Sequence, residues 1–301
     1  MQETHQNQES MDKRKFLKGI LAIVFLACLS YFAFRAFTQD PLRVLITAPE
    51  GYSQRFEKSF TGTGIQPIAI PVIETISQGQ SDEIRGAFYN IDDIDYIAFS
   101  SRKAIQALEE ALQKHPEIKN DLRKVELIAI GKDIDYLREV VGGGQHIIVP
   151  SEPSPAGIAN ELAKQENIQG KTIAVWVPRV EEIKEPYVVP DFMDRLEKIG
   201  LKVIRNEVYI TRPARQSNLN DVVQNIQAGK VQCIAFTSSA EIDVLLKAYQ
   251  KPLPEELVIA CFGPYTTAFA QEKGLHVAIT ATNFSSFLGF VEAIEAYYDK
   301  H

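Results

Sequence analysis

A chain of 301 residues is long enough for two ordinary domains, because a single hydrophobic core stops growing near ~250–300 residues. Hydrophobic residues at 45% and charged residues at 24%, with ordinary glycine and proline counts, exclude a disordered chain, a collagen-like rod and a polytopic channel. A formal net charge of −7 and a pI near 5.4 leave no basic field to hold a nucleic-acid backbone, so no nucleic-acid partner is expected. Three scattered cysteines (Cys28, Cys233, Cys261) and five histidines without an HExxH pair match neither a disulfide framework nor a metal site.

The first 15 residues are polar. Lys13, Arg14, Lys15 and Lys18 then precede an uncharged run from Gly19 to Phe34, which Arg35 closes. That run covers about 16 residues, or ~24 Å as a helix; it reaches spanning length over residues 16–37 if Lys18 and Arg35 snorkel to the headgroups. A single-pass signal anchor is the favoured reading. A cleaved signal peptide would need small residues at a cleavage site, and none follows Phe34. The FLAC around Cys28 resembles a lipoprotein box, but the apolar run continues past it. The basic flank favours an inside N-terminus, which would export the rest of the chain.

From Leu42 onward, short β-branched runs alternate with helical patterns. RVLITAP (43–49) reads as a strand followed by a helix over 54–61, and IQPIAIPVIET (65–75) as a second extended run. DYIAFSS, VELIAIG, QHIIVP, KTIAVWVP, KVIRNEVYIT, QCIAFTSS, LVIACFG and HVAIT continue the series, with amphipathic stretches at 102–114, 134–141 and 241–249 between them. Such alternation predicts βα units in a mostly parallel sheet covered on both faces. The triple glycine at 142–144 follows a helical pattern and reads as its C-cap turn rather than as a phosphate loop.

The chain also repeats itself. DYIAFSSRKAIQAL (95–108) matches QCIAFTSSAEIDVLL (232–246), LIAIGKDIDYLREVVGG (127–143) matches VIACFGPYTTAFAQEKG (258–274), and HIIVPSEPSPAGIANEL (146–162) matches HVAITATNFSSFLGFVEAI (276–294). GIQPIAIPVIET (64–75) likewise matches GLKVIRNEVYIT (200–211). Two copies of one α/β unit predict two similar lobes with a cleft between them. Small polar residues recur where strands give way to helices: Ser100 and Ser101, Thr237 to Ser239, Gly131 with Lys132, Gly263 to Thr266, Ser154, and Ser285 with Ser286. Each has a capping reading. Converging on one cleft, they would offer free helix N–H groups to an acidic small molecule.

RVLIT, the IAFSS and IAFTSS pair, GLKVIRNEVYITRP, and FGPYTTAFAQEKGL followed by ATNFSSFLGFVEAI together resemble uroporphyrinogen-III synthase, the cofactor-free tetrapyrrole cyclase. The resemblance runs from Arg43 to about Tyr298. It implies two flavodoxin-like parallel-sheet lobes joined by a two-stranded linker: lobe one from residues 42–70 plus 213–298, lobe two from 76–207, linker strands from 71–75 and 208–212. It also implies closure of hydroxymethylbilane to uroporphyrinogen III with the last ring inverted, no cofactor, and a monomeric domain. Tyr209 matches a cleft tyrosine suited to assist the departing hydroxyl. Ser101, Ser238, Ser239, Tyr265 and Thr266 match cleft positions, and Lys103, Lys132, Arg179 and Arg212 are candidate counter-charges for the substrate's eight carboxylates. For such an enzyme a cytoplasmic face is expected, against the export that the basic flank suggests.

The chain also departs from that family's pattern. Ile134 stands where a threonine is frequent, Asp133 and Asp135 bring carboxylates to the cleft edge, Ala48 replaces a frequent arginine, and Trp176 and Arg179 replace a glycine-containing loop. These departures leave a second class of function open: a diverged, non-catalytic, membrane-anchored two-lobe binding or sensory module for an acidic small molecule. A flavodoxin-like nucleotide binder is a third, although no GxGxxG or Walker motif supports it.

Overall fold

The β-branched runs become strands, and the reason lies in what covers them. In the computed structural model, residues 41–300 are described, apart from Tyr89 and Ser285. The expected polar tail and anchor over 1–37 therefore lie outside the described residues, as does Ser285. Among the described residues no helix is long and apolar enough to cross a membrane.

In chain order the strands are β1 (Arg43–Ile46), β2 (Gln66–Ala69), β3 (Ile73–Ser77), β4 (Tyr96–Phe99), β5 (Glu126–Ala129), β6 (Ile147–Ile148), β7 (Thr172–Val180), β8 (Lys202–Pro213), β9 (Cys233–Phe236), β10 (Val258–Cys261) and β11 (Val277–Thr280). They form two sheets. One is five-stranded in the order β11-β10-β9-β1-β2 and the other six-stranded in the order β3-β8-β7-β4-β5-β6. Every pairing is parallel except that of β3 with β8.

All four residues of β4 are buried. Ile97 and Phe99 join one core with Ile105 and Leu108 of the helix Arg102–Lys114, while Tyr96 and Ala98 join another with Ile158 and Phe192. Both faces of the sheet are thus covered by helices, and a strand in that position has no polar side to present. A third core belongs to the five-stranded sheet, around Leu45, Ile234, Phe236 and Ile259.

The expected extended run 65–75 divides. Its first half is β2 of the five-stranded sheet, and its second half enters β3 of the six-stranded one, the chain crossing through Pro71 and Val72. Residues 208–212, expected as the other linker strand, are the end of the 12-residue β8. β3 runs antiparallel to that end, from Ile73 opposite Pro213 to Ser77 opposite Tyr209.

The helix expected over 54–61 instead occupies Glu50–Lys58. Pro49 sets its start, with the Pro49 carbonyl accepting from the Tyr52 and Ser53 amides at 2.8 and 2.9 Å. QHIIVP contributes only the two residues of β6. Gly142, at φ 77°, ends the helix Asp133–Val141, the left-handed turn that favours glycine.

Phe56 is fully buried between the helix Glu50–Lys58 and the C-terminal helix Phe287–Tyr298, with ring centres 4.9 Å from Phe287 and 5.1 Å from Phe290. Phe56→Ala should lower the unfolding free energy by about 3–5 kcal/mol in urea denaturation. Val149→Ala, at a position 49% exposed, should stay within ~0.5 kcal/mol.

Candidate active site

A doubly wound sheet opens a crevice where its strand order reverses, because the loops leaving the two flanking strands turn opposite ways. In the five-stranded sheet that point lies between β1 and β9, and in the six-stranded sheet between β4 and β7. One cavity of about 750 Å³ touches both. It is lined by Pro49 and Thr237–Ser239 from the first crevice, and by Ser100, Ser101, Val177 and Pro178 from the second. Tyr209 and Thr211 of β8 and Thr75 of β3 line the span between them.

On the β4 side, Ser101 caps the helix Arg102–Lys114 by accepting from the Ala104 amide at 3.3 Å. Its hydroxyl donates in turn to Tyr209 Oη at 3.0 Å. Tyr209 is 7% exposed yet faces the cavity. Burial pushes its phenol up to about 12, against a smaller downward pull from the Ser101 hydrogen bond. The phenol is therefore neutral at any working pH. Among the described residues it accepts from Ser101 and donates to no partner, so its proton is free to meet a ligand.

On the β9 side the strand-end hydroxyls are already engaged. Glu241, fully buried in the first turn of the helix Ser239–Tyr249, accepts from Thr47 Oγ1 at 2.7 Å, from the Thr237 amide at 3.1 Å, from Ser238 Oγ at 2.9 Å, and from the Thr237 hydroxyl. Burial pushes its carboxyl up, and these donors pull it down. Thr266, also buried, donates to the Thr237 carbonyl at 3.4 Å. Tyr265 reaches from this side to Asp191 Oδ2 of the helix Val188–Lys198 at 3.2 Å.

A sequence model of the family described as uroporphyrinogen-III synthase HemD matches residues 54–287. The chain belongs to the uroporphyrinogen-III synthase family. The porphyrin biosynthesis protein HemD of Ruminiclostridium josui is 22% identical over 286 residues, which cover 90% of this chain and 52% of that protein. The chain thus spans about half the length of that curated relative. Two solved structures are similar in fold. A mutant uroporphyrinogen III synthase from the extremely thermophilic bacterium Thermus thermophilus has a TM-score of 0.59 at 15% identity, covering 86% of this chain and all of that one. The uroporphyrinogen-III synthetase of Helicobacter pylori has a TM-score of 0.51 at 16% identity, covering 85% and 99%.

For this member of the uroporphyrinogen-III synthase family, the cavity brings together Tyr209, Ser101, Ser238, Ser239, Tyr265, Thr266, Lys103 and Lys132. Lys103 donates to Gln106 at 2.8 Å, and burial lowers its pKa. Arg179 is not brought in. It lies near the end of β7 facing a separate polar pocket, its Nε 3.1 Å from Glu181. Arg212 is likewise turned away and pairs with Glu74 at 2.6 Å. Both fall on strand residues whose neighbour in sequence faces the site, and period-2 alternation sends them to the other face.

Of the two acids flanking Ile134, only Asp133 lines the cavity; Asp135 is exposed and paired with Arg138 at 3.2 Å. Trp176 belongs to the core, fully buried against Phe88 and Phe99. Ser154 and Ser286, which also line the cavity, cap their helices, accepting from Gly157 at 3.0 Å and Gly289 at 3.3 Å.

Sequence reasoning missed Tyr52, Arg55, Glu241 and Phe287 in the lining. For Glu241 a signal was available: an acid three residues after Ser238 is the spacing at which a side chain reaches back over a helix start. Glu241→Ala should lower the unfolding free energy by about 2–4 kcal/mol, because buried donors lose their acceptor. Glu241→Gln should cost less, since the Thr47 or Thr237 hydroxyl can reverse and accept. Denaturant midpoints of both variants against the parent check this.

Proposed function

We propose that the chain closes hydroxymethylbilane to uroporphyrinogen III in the cavity between the two sheets, with Tyr209 assisting the first step. The observation that carries this reading is the Tyr209 phenol: neutral, held at 3.0 Å by Ser101, facing the cavity, with its proton uncommitted. Family membership supports the reaction class. Tyr209 protonates the terminal hydroxyl, which leaves as water with its bonding electrons, and the substrate becomes an azafulvenium cation. A substituted carbon of the far pyrrole attacks that cation to give a spiro intermediate. Fragmentation and re-closure then invert the last ring, and the proton lost at aromatisation restores the phenol. The walls contribute mostly positioning.

The full chain, given enzymically generated hydroxymethylbilane, should yield mainly the type III isomer. A product that is only the spontaneous type I ring would sink the catalytic reading. Tyr209→Phe should lower kcat about 10²-fold with an unchanged circular dichroism spectrum. Because the phenol loses its proton only near 12, its raised pKa keeps the donor form present. The parent enzyme should therefore show no alkaline loss of kcat from this group below about pH 10.

One observation favours a second reading, a non-catalytic two-lobe binding module. The cavity lining includes the acids Asp133, Glu152, Glu241 and Glu272 against the bases Arg55, Lys103 and Lys132, an unfavourable balance for a polyacid. In that case the isomer assay would give type I alone.

We also propose that residues 16–37 anchor the chain as one membrane span, a reading supported by the basic cluster and the uncharged run alone. Alkaline phosphatase fused after His301 tests the orientation. Cytoplasmic placement, as the cyclase requires, should leave the reporter inactive, and an active reporter would place the cavity outside.

A further inference from the structure

Asp133 opens the helix Asp133–Val141 and lines the cavity. Its Oδ1 lies 3.4 Å from Nη1 of Arg102, the first residue of the neighbouring helix, with the two side chains 21% and 34% exposed. The Arg102 guanidinium sits 4.0 Å from the centre of the Tyr136 ring, which holds it in place. Arg55, from the helix Glu50–Lys58, lines the same cavity. Its guanidinium packs 4.8 Å from the Tyr52 ring and 5.5 Å from that of Phe287. Burial pushes the Asp133 carboxyl up, and Arg55 and Arg102 both draw it back down. Arg102 thus pairs directly with the carboxylate, while Arg55, on a helix packed against the other sheet, faces the same cavity and acts on it through its charge. Those are the surroundings a bound substrate carboxylate would have, and here the chain supplies the carboxylate itself.

We propose that Asp133 is the internal occupant of a carboxylate-binding subsite made by Arg55 and Arg102, and that a polycarboxylate guest competes with it for the two arginines. The proposal rests on reading the cavity as a polycarboxylate site. While the cavity is empty, Asp133 keeps the arginines neutralised and placed. When a guest is present, its charge weakens the hold on the guest's acid groups, which favours release of a product that carries as many carboxylates as the substrate.

Isothermal calorimetry on the full chain at low ionic strength tests this, with benzenehexacarboxylate (mellitate) as the probe. Asp133→Asn should bind mellitate about tenfold more tightly than the parent. Adding Arg55→Gln or Arg102→Gln to that variant should erase the gain. Asp133→Ser, which keeps a hydroxyl at the helix start, should show the same gain and serves if the asparagine variant folds poorly. Equal affinities, no binding by any form, or a gain that survives either arginine substitution would overturn the proposal. The isomer assay fails independently. Type I product alone with the Asp133→Asn gain intact would remove the cyclase and leave the subsite, whereas type III product with no gain would remove the subsite and leave the cyclase.

Discussion

The antiparallel pairing of β3 with the end of β8 is the constraint on which the rest of the molecule depends. β8 also pairs along its length with β7, so it is locked into the six-stranded sheet. β3 leaves β2 of the five-stranded sheet after only Ile70–Val72, whose amides Ile70 and Val72 still bond to Ile46 and Thr47 at 3.0 Å each. A short connection tied at both ends permits little freedom. It brings the carboxyl ends of β1 and β9 near those of β4 and β7, and the cavity follows. It also sets Tyr209 opposite Ser77, the register in which the phenol meets Ser101.

Within that cavity the helix starts are less open to ligands than their sequences suggest. A row of free N–H groups at a helix N-terminus attracts whatever anion is available. In this chain the nearest acceptor is often its own. Glu241 gathers the donors around Thr237 and Ser238, Ser101 and Ser154 cap their own helices, and Asp133 sits beside Arg102. Side chains that satisfy a helix start stabilise the fold and at the same time set what a guest must displace. Capping and ligand binding are competing uses of the same amide groups, and local geometry at each start decides between them.

Much of the architecture is legible in the sequence. Continuous apolar runs such as YIAF and CIAF are strands because both sheet faces are covered, and the repeat of 95–108 in 232–246 has its counterpart in two doubly wound sheets. The failures have local causes. The first helix begins at Glu50 because Pro49 holds its N-cap position and accepts from the Tyr52 and Ser53 amides, which periodicity alone does not register. Arg179 and Arg212 looked suitable by charge, but strand alternation turned them from the cavity into pairs with Glu181 and Glu74.

What sequence alone determined was much of what depends on neighbours along the chain: that buried strand runs alternate with amphipathic helices, and that one unit occurs twice. Hydrophobic periodicity and capping act over one or two turns, so they are written locally. Only the tertiary structure decided that Arg55 and Asp133 share a cavity, that Glu241 engages the hydroxyls of Thr47 and Ser238, and that Ser101 meets a tyrosine 108 positions away. Those contacts join residues far apart in the chain, and their partners are chosen by sheet order and register, which no short window of residues encodes.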